Sequence, residues 1–331
     1  MRIVTPISAA AEIAPLAEAG ADEFYCGIVP PDWTARFRSS GVNRRLFGNF
    51  ATYAELEEAT ATAHDKGCSL SLVLNAPHYA AEQAEAAIEL AYRFAAFGGD
   101  GLIVGDIGLL AQLAERGPGL RLHASSLLSC RNSEAAALYG EIGAHRVIFP
   151  RDITPAEMAR VIVANPATEF EAFILNDGCV FEEGSCHTIH LPGRLGGPIC
   201  LDGYQSAHAR VDDQPLSPTE TDALAANDEA HRRWLWYRFS CGFATTEDGL
   251  PFGPCGLCAL PTLAAHGVTA VKIAGREGNT ARKVKSVEMV RAVRDRIAAG
   301  ETPAAITEHA RGLRRRPDLC DSDYMCYYPE V

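Results

Sequence analysis

Met1–Ile28, MRIVTPISAAAEIAPLAEAGADEFYCGI, reads as one strand–helix–strand unit. Arg2–Thr5 and Glu23–Ile28 are short apolar runs of strand character, and residues 8–19 between them are Ala-rich with helical periodicity. Parallel strands joined through a crossover helix are the repeating unit of α/β folds. A doubly wound open sheet would usually follow its first strand with a Gly-rich phosphate loop, and Pro6–Ile7–Ser8 offers no G-x-G-x-x-G. The unit therefore points to a barrel.

The same alternation continues outward. Further strands are expected at Ser69–Asn75, Gly101–Gly105, Arg121–Ser125, Arg146–Pro150, Glu169–Leu175 and Ala270–Ala274, giving eight in all. Amphipathic helical stretches lie near 53–66, 81–98, 132–142, 154–164 and 280–299. Two start at capping boxes, Thr52 with Glu55 and Thr154 with Glu157. The expected fold class is α/β, a (β/α)8 TIM-like barrel whose active site lies where the strands end.

Regularity fails between about Asn176 and Leu260, which holds six of the eleven cysteines and the aromatic run Trp234–Phe239. The expected organisation is a barrel over 1–175 and 260–300, a cysteine-rich insertion over 176–259, and an irregular tail over 301–331 with the run Arg314–Arg316. At 331 residues, 47% hydrophobic and 22% charged, one large core suffices. A formal charge of −12 disfavours a nucleic-acid surface. No apolar run is long enough for a membrane span, and no leader is evident, so a cytoplasmic protein is expected. In that reducing compartment eleven cysteines point to metal or redox chemistry rather than to disulfides.

Cys179, Cys186, Cys200 and Cys241 are spread through the Gly-rich insertion, and Cys255 and Cys258 form a C-x-x-C pair. Flexible loops of this kind can wrap thiolates around an iron–sulfur cluster. Spacing alone leaves zinc and plain buried thiols open, although zinc ribbons typically show two C-x-x-C pairs. Cys26, Cys68 and Cys130 are read as packing residues. The C-x-x-x-C-x-x-C run of radical S-adenosylmethionine chemistry is absent.

Landmarks along almost the whole chain resemble those of the collagenase-like peptidase U family. They are Glu18–Asp22 (EAGAD), Asn49–Phe50, Leu74–Asn75, His123–Ser125 (HAS), Gly178–Cys179 through Glu183–Cys186, and Val271–Arg276 (VKIAGR). Ala274 stands where that family usually has Glu. In size the chain is most similar to the family's oxygen-independent ubiquinone hydroxylation subunits. The resemblance implies a [4Fe–4S] cluster on Cys179, Cys186 and Cys200, with Cys241 as the best match for the fourth ligand and Cys255 competing for that place. It also implies hydroxylation without dioxygen of a small aromatic or quinone-precursor substrate, prephenate as oxygen donor, and a homologous partner subunit. Other members hydroxylate RNA bases, which the acidic balance and the lack of a large C-terminal extension argue against. A non-catalytic cluster-bearing partner is a third reading. Proteolysis has little support, since H-E-x-x-H and G-x-S-x-G are both missing.

Other candidates follow from barrel geometry. Arg276 and Lys272 close the eighth strand ahead of a helix starting near Asn279–Thr280, where an anionic substrate could bind; a salt bridge is the plainer role for Lys272. Asn75, His123 and Arg151 fall near strand ends, and His123 has a plain alternative as a core imidazole. Arg45 resembles a family arginine in the loop after strand two. His187 and His190 adjoin Cys186, and Trp234–Phe239 could shield a cluster or stack on substrate.

Overall fold

The computed structural model describes residues 1–37, 41–45, 47–179, 182–186, 207–240 and 244–331. Its first half runs β1 (Arg2–Pro6), α1 (Ile13–Ala19), β2 (Glu23–Ile28), α2 (Pro31–Phe37), β3 (Asn49–Phe50), α3 (Tyr53–Asp65), β4 (Ser69–Leu74), α4 (Ala81–Ala96), β5 (Gly101–Val104) and α5 (Ile107–Arg116). The second continues through β6 (Arg121–Ala124), α6 (Ser133–Ile142), β7 (Arg146–Ile148), α7 (Pro155–Ala164), β8 (Glu169–Leu175), α8 (Pro218–Ser240), α9 (Leu260–Ala265), β9 (Ala270–Ile273), α10 (Thr280–Ala298), α11 (Pro303–Arg314) and α12 (Pro317–Asp321).

The sheet order is β1-β9-β8-β7-β6-β5-β4-β2, and β2 pairs back onto β1, so eight parallel strands close into a barrel. The two-residue β3 adds to the outside of β2. All eight expected strands are present, several shorter by one or two residues at their C-terminal ends. Buried apolar side chains from strands and helices form the core, including Phe24, Phe149 and Phe170 from the sheet and Leu16, Phe94 and Val290 from the helices.

Local sequence sets where helices begin. Thr52 and Thr154 accept from the backbone N–H of Glu55 and Glu157, and both glutamates return to the cap backbone. Asp106 caps α5 in the same manner, accepting from Leu109 N at 2.8 Å. The 301–331 segment is a correction to the reading from sequence: it is not an irregular tail but carries α11 and α12. Thr302 caps α11 with Pro303 at its first turn, and the buried Arg314 guanidinium fastens the helix to the Pro251 and Gly253 carbonyls at 2.8 and 3.1 Å. No described helix is long and apolar enough to cross a membrane.

Candidate active site at the barrel mouth

The N-terminal half of the barrel interior is filled by a closed ion network. Arg146, 1% exposed, donates to Glu23 at 2.7 and 2.9 Å, to Glu171 at 2.9 Å and to Glu169 at 3.0 Å. Lys272 Nζ donates to Glu171 at 2.8 Å and lies 3.9 Å from the centre of the Tyr25 ring. Burial alone would raise the Glu171 carboxyl, but Lys272 and Arg146 outweigh it and hold the group at about 2. His123 is the converse case, since burial and then Arg146 push its imidazole down to about 3 and keep it neutral. Its Nε2 is buried with no hydrogen-bond partner among the described residues. Lys272 and His123 lie one residue from the C-terminal ends of β9 and β6, but both are buried in the barrel, and Lys272 takes the salt-bridge role.

The C-terminal face is built differently. Arg276 follows β9 and is 6% exposed, yet its guanidinium meets only amide oxygens, Asn43 Oδ1 at 2.8 Å and Asn49 Oδ1 at 3.2 Å, among the described hydrogen bonds. Burial lowers its pKa. Gly27 makes room for this arrangement, because a Cβ there would stand 1.9 Å from Arg276 Nη1 and 2.2 Å from Asn49 Oδ1. Tyr25, one turn of the pleat below, donates its hydroxyl to the Ile273 carbonyl at 3.0 Å.

The loop after β8 brings the thiols to this face. Asn176 and Asp177 both adopt positive φ, 66° and 46°, turning the chain at the strand end. Asp177 pairs with Arg45, and its carbonyl accepts from Arg151 Nε at 2.9 Å. Arg151 also pairs with Glu183 and lies 3.7 Å from the centre of the Phe173 ring. The Arg44 guanidinium donates to the Glu183 carbonyl at 3.0 Å, and its own backbone N–H donates to Asn75 Oδ1 at 3.2 Å. Burial lowers the Arg44 pKa, and the half-buried Cys186 and Cys179 are the largest influences raising it, so both thiols lie within electrostatic reach of one guanidinium. Glu182 holds the turn between them, accepting from Gly184 N at 2.7 Å and from Ser129 and Ser185. Despite burial, these bonds and Arg131 keep its carboxyl at about 2.

The described structure therefore brings together Asn75, Arg45, Arg151, Arg276, Cys179 and Cys186. Cys200, Cys241, His187 and His190 lie outside the described residues. The aromatic run does not wall the mouth with its described side chains: Tyr237 packs on Tyr324 at 5.8 Å and beside Leu319 and Met325, and Trp236 is 56% exposed. Cys26 and Cys130 behave as packing residues, their thiols pushed up to about 12 by burial. Sequence reading passed over the roles of Arg44, Asn43, Glu183 and Gly27. A glycine inside the buried strand Glu23–Ile28 was the signal available for the last.

The sequence profile described as peptidase family U32 matches residues 9–331. This chain belongs to that family. As a U32 member it is similar to tRNA hydroxylation protein P2 of Bacillus subtilis, 28% identical over 54% of this chain and 53% of that protein. It is also similar to tRNA hydroxylation protein P of Escherichia coli, 27% identical over 50% of this chain and 34% of the relative. The third is the 23S rRNA 5-hydroxycytidine C2501 synthase of Escherichia coli, at 28% over 52% and 24%. The chain thus spans about half or less of the length of these curated relatives. Among solved structures, the U32 peptidase Mk0906 aligns with TM-score 0.40 and 15% identity over 53% of this chain and 68% of that one.

Proposed function

We propose that this chain is an iron–sulfur hydroxylase that works at the barrel mouth, without dioxygen, on a small aromatic or quinone-precursor molecule with prephenate as oxygen donor. The observation that carries the reading is the loop after β8, which bears Cys179 and Cys186 and which Arg44, Arg45 and Arg151 bind to the C-terminal face. The donors present fit a thiolate-bound cluster: two half-buried thiols on a loop pinned by Arg44 and Arg151, with Glu183 Oε1 buried and without a partner among the described residues. Cys200 and Cys241 would complete a set of four. When bound, such a cluster supplies redox or Lewis-acid iron.

The remaining work falls to side chains. Arg276, a buried cation on neutral amides, would take a carboxylate of the donor, gaining the opposite charge it lacks. Arg151, pinned between Glu183 and the Phe173 ring, would hold the cysteine loop against the mouth. A second reading, RNA-base hydroxylation, is favoured by the names of the curated relatives. Against it stands the use of the basic run Arg314–Arg316. Arg314 is buried on carbonyls, and Arg315 and Arg316 pair with Asp248 at 3.4 Å and Asp318 at 2.6 Å, leaving little of that run for phosphates.

The test is anaerobic purification with iron, sulfide and Mössbauer analysis, followed by comparison of metabolites and modified nucleosides in wild-type and deletion strains. The expected result is a cluster that Cys179→Ala with Cys186→Ala abolishes, together with an accumulated unhydroxylated small molecule. Iron content indifferent to those substitutions would end the proposal. A missing hydroxylated nucleoside, with metabolites unchanged, would move the assignment to RNA.

A further inference from the structure

A second set of cysteines gathers behind the mouth, and nothing in the reading above uses it. Cys255 and Cys326 are bridge partners, side by side in parallel orientation. Their backbones are fixed by Cys255 N donating to Met325 O at 2.7 Å and Tyr327 N donating to Cys255 O at 2.9 Å. Cys258 opens off the same strand-like segment into the 3₁₀ turn Leu257–Ala259, and Cys320 lies in α12. Each is half-buried. The 3₁₀ turn that carries Cys258 packs on α11, and α11 packs on the α12 that carries Cys320, so these segments meet at one side of the fold. The strongest neighbours of Arg44, in contrast, are Cys179 and Cys186.

From this juxtaposition we propose that Cys255, Cys258, Cys320 and Cys326 form a second, structural tetrathiolate site for a single soft divalent ion of the zinc class. The spacing C-x-x-C followed by C-x5-C supplies two short chelating arms from separate segments, the pattern of closed four-thiolate zinc sites. Among the described residues no three Cys, His, Asp or Glu side chains already stand in metal-ligand geometry. Closure on the ion therefore requires rotation of the four side chains, while the backbone that carries Cys255 and Cys326 is already paired. Binding releases the thiol protons as the ligands ionise.

The site has a structural use. Tyr327, next to Cys326, donates its hydroxyl to the Asn176 and Asp177 carbonyls, and Asn176 N donates to Pro254 O at 2.7 Å beside Cys255. A metal here would lock the C-terminal segment and the 251–258 segment together behind the turn that presents Cys179. It also assigns Cys255 and Cys258 away from the fourth position of the first set, leaving Cys241 unopposed there. The proposal does not depend on the hydroxylase reading.

The experiment uses full-length chain purified anaerobically and titrated with Zn2+ and, separately, Co2+. The expected result is one tightly held equivalent of zinc, retained by Cys179→Ser with Cys186→Ser and lost from Cys258→Ser with Cys320→Ser. Co2+ should give the thiolate charge-transfer and visible bands of tetrahedral Co–S4 under the same pattern. Should the second double variant fail to fold, alkylation of wild type followed by peptide mass spectrometry gives the answer, with Zn2+ protecting all four cysteines together. Unprotected thiols, a native Cys255–Cys326 disulfide, or iron and sulfide rather than zinc lost with the second pair would each overturn the assignment.

Discussion

The two ends of the barrel carry similar side chains under opposite terms. In the N-terminal half Arg146 and Lys272 are buried against Glu23, Glu169 and Glu171, so each cation has carboxylates within hydrogen-bonding distance. At the mouth Arg276 is equally buried but rests on the amides of Asn43 and Asn49, with no carboxylate in ion-pair contact among the described residues. With Arg2 on Glu23 and Glu169, three cations meet three carboxylates and the network has no charge left for a ligand, whereas a buried cation on neutral acceptors keeps its field. Burial of an arginine is therefore uninformative until its partners are known.

The largest effect should come from opening the closed network. Arg146→Met takes the shared donor from Glu23 and Glu171, leaving Arg2 and Lys272 as their remaining cations, and removing one partner of a buried pair costs about 3–5 kcal/mol. The expected outcome is little folded protein, or a denaturation midpoint far below the parent's, read by chemical unfolding. Adding Glu23→Leu, which leaves Glu171 with Lys272 and Glu169 with Arg2, should recover part of the loss. No recovery in that double variant would mean that the network's charges are not coupled as the contacts indicate.

Acid should act on the same network in two windows. His123 is held neutral down to about pH 3 in the fold but protonates near 6.5 when unfolded, so the unfolded chain binds the extra proton and stability falls as pH drops below 6.5. Glu171 and Glu169, held near 2, contribute stability above about 4.5 that is lost as pH falls towards 2. The upper window is worth on the order of 1 kcal/mol per pH unit at most. In His123→Leu the unfolding free energy should be flatter than wild type between pH 6.5 and 4.5. Parallel curves for the two proteins would show that His123 takes up a proton without unfolding.

How much of this contrast the sequence carries depends on the kind of information. The eight strands are legible because each is a short apolar run between turn residues, and α3 and α7 because capping boxes mark their starts. Cys179, Cys186 and Arg276 are legible as members of motifs. Height along the barrel axis is not. Lys272 and Arg276 are four residues apart, with β9 ending at Ile273 between them, and alternation says which face a residue takes, not which layer it occupies. His123, next to last in β6, lies near its strand end and is nonetheless buried, so nearness to an end does not say whether a side chain reaches the mouth. The helix at 303–314 went unread because its anchor, Arg314, docks on carbonyls sixty residues away in sequence.

At the mouth smaller changes should separate function from folding. Gly27→Ala puts a methyl 1.9 Å from Arg276 Nη1, and the guanidinium, the far end of a flexible chain, must move aside. Overpacking of this kind costs about 1–3 kcal/mol. The barrel should stay folded by circular dichroism while the proposed hydroxylation, read by product formation, falls steeply. Full activity in Gly27→Ala would show that the position of Arg276 is immaterial.

Arg276→Gln should have the smallest effect on stability and the most informative one. Burial lowers the Arg276 pKa, which means that the folded protein disfavours the charge it holds there. Glutamine can still donate its amide hydrogens towards Asn43 and Asn49 without any charge to desolvate, so the relief offsets part of the packing lost. The expected unfolding free energy lies within about 1 kcal/mol of the parent, on either side. Binding of a carboxylate-bearing donor, measured by calorimetry on anaerobic protein, should nonetheless weaken by at least tenfold, as expected for a lost charge-assisted bidentate contact. A stability loss comparable to that of Arg146→Met would instead make Arg276 a strut like those at the other end, and the mouth would need another group to receive an anion.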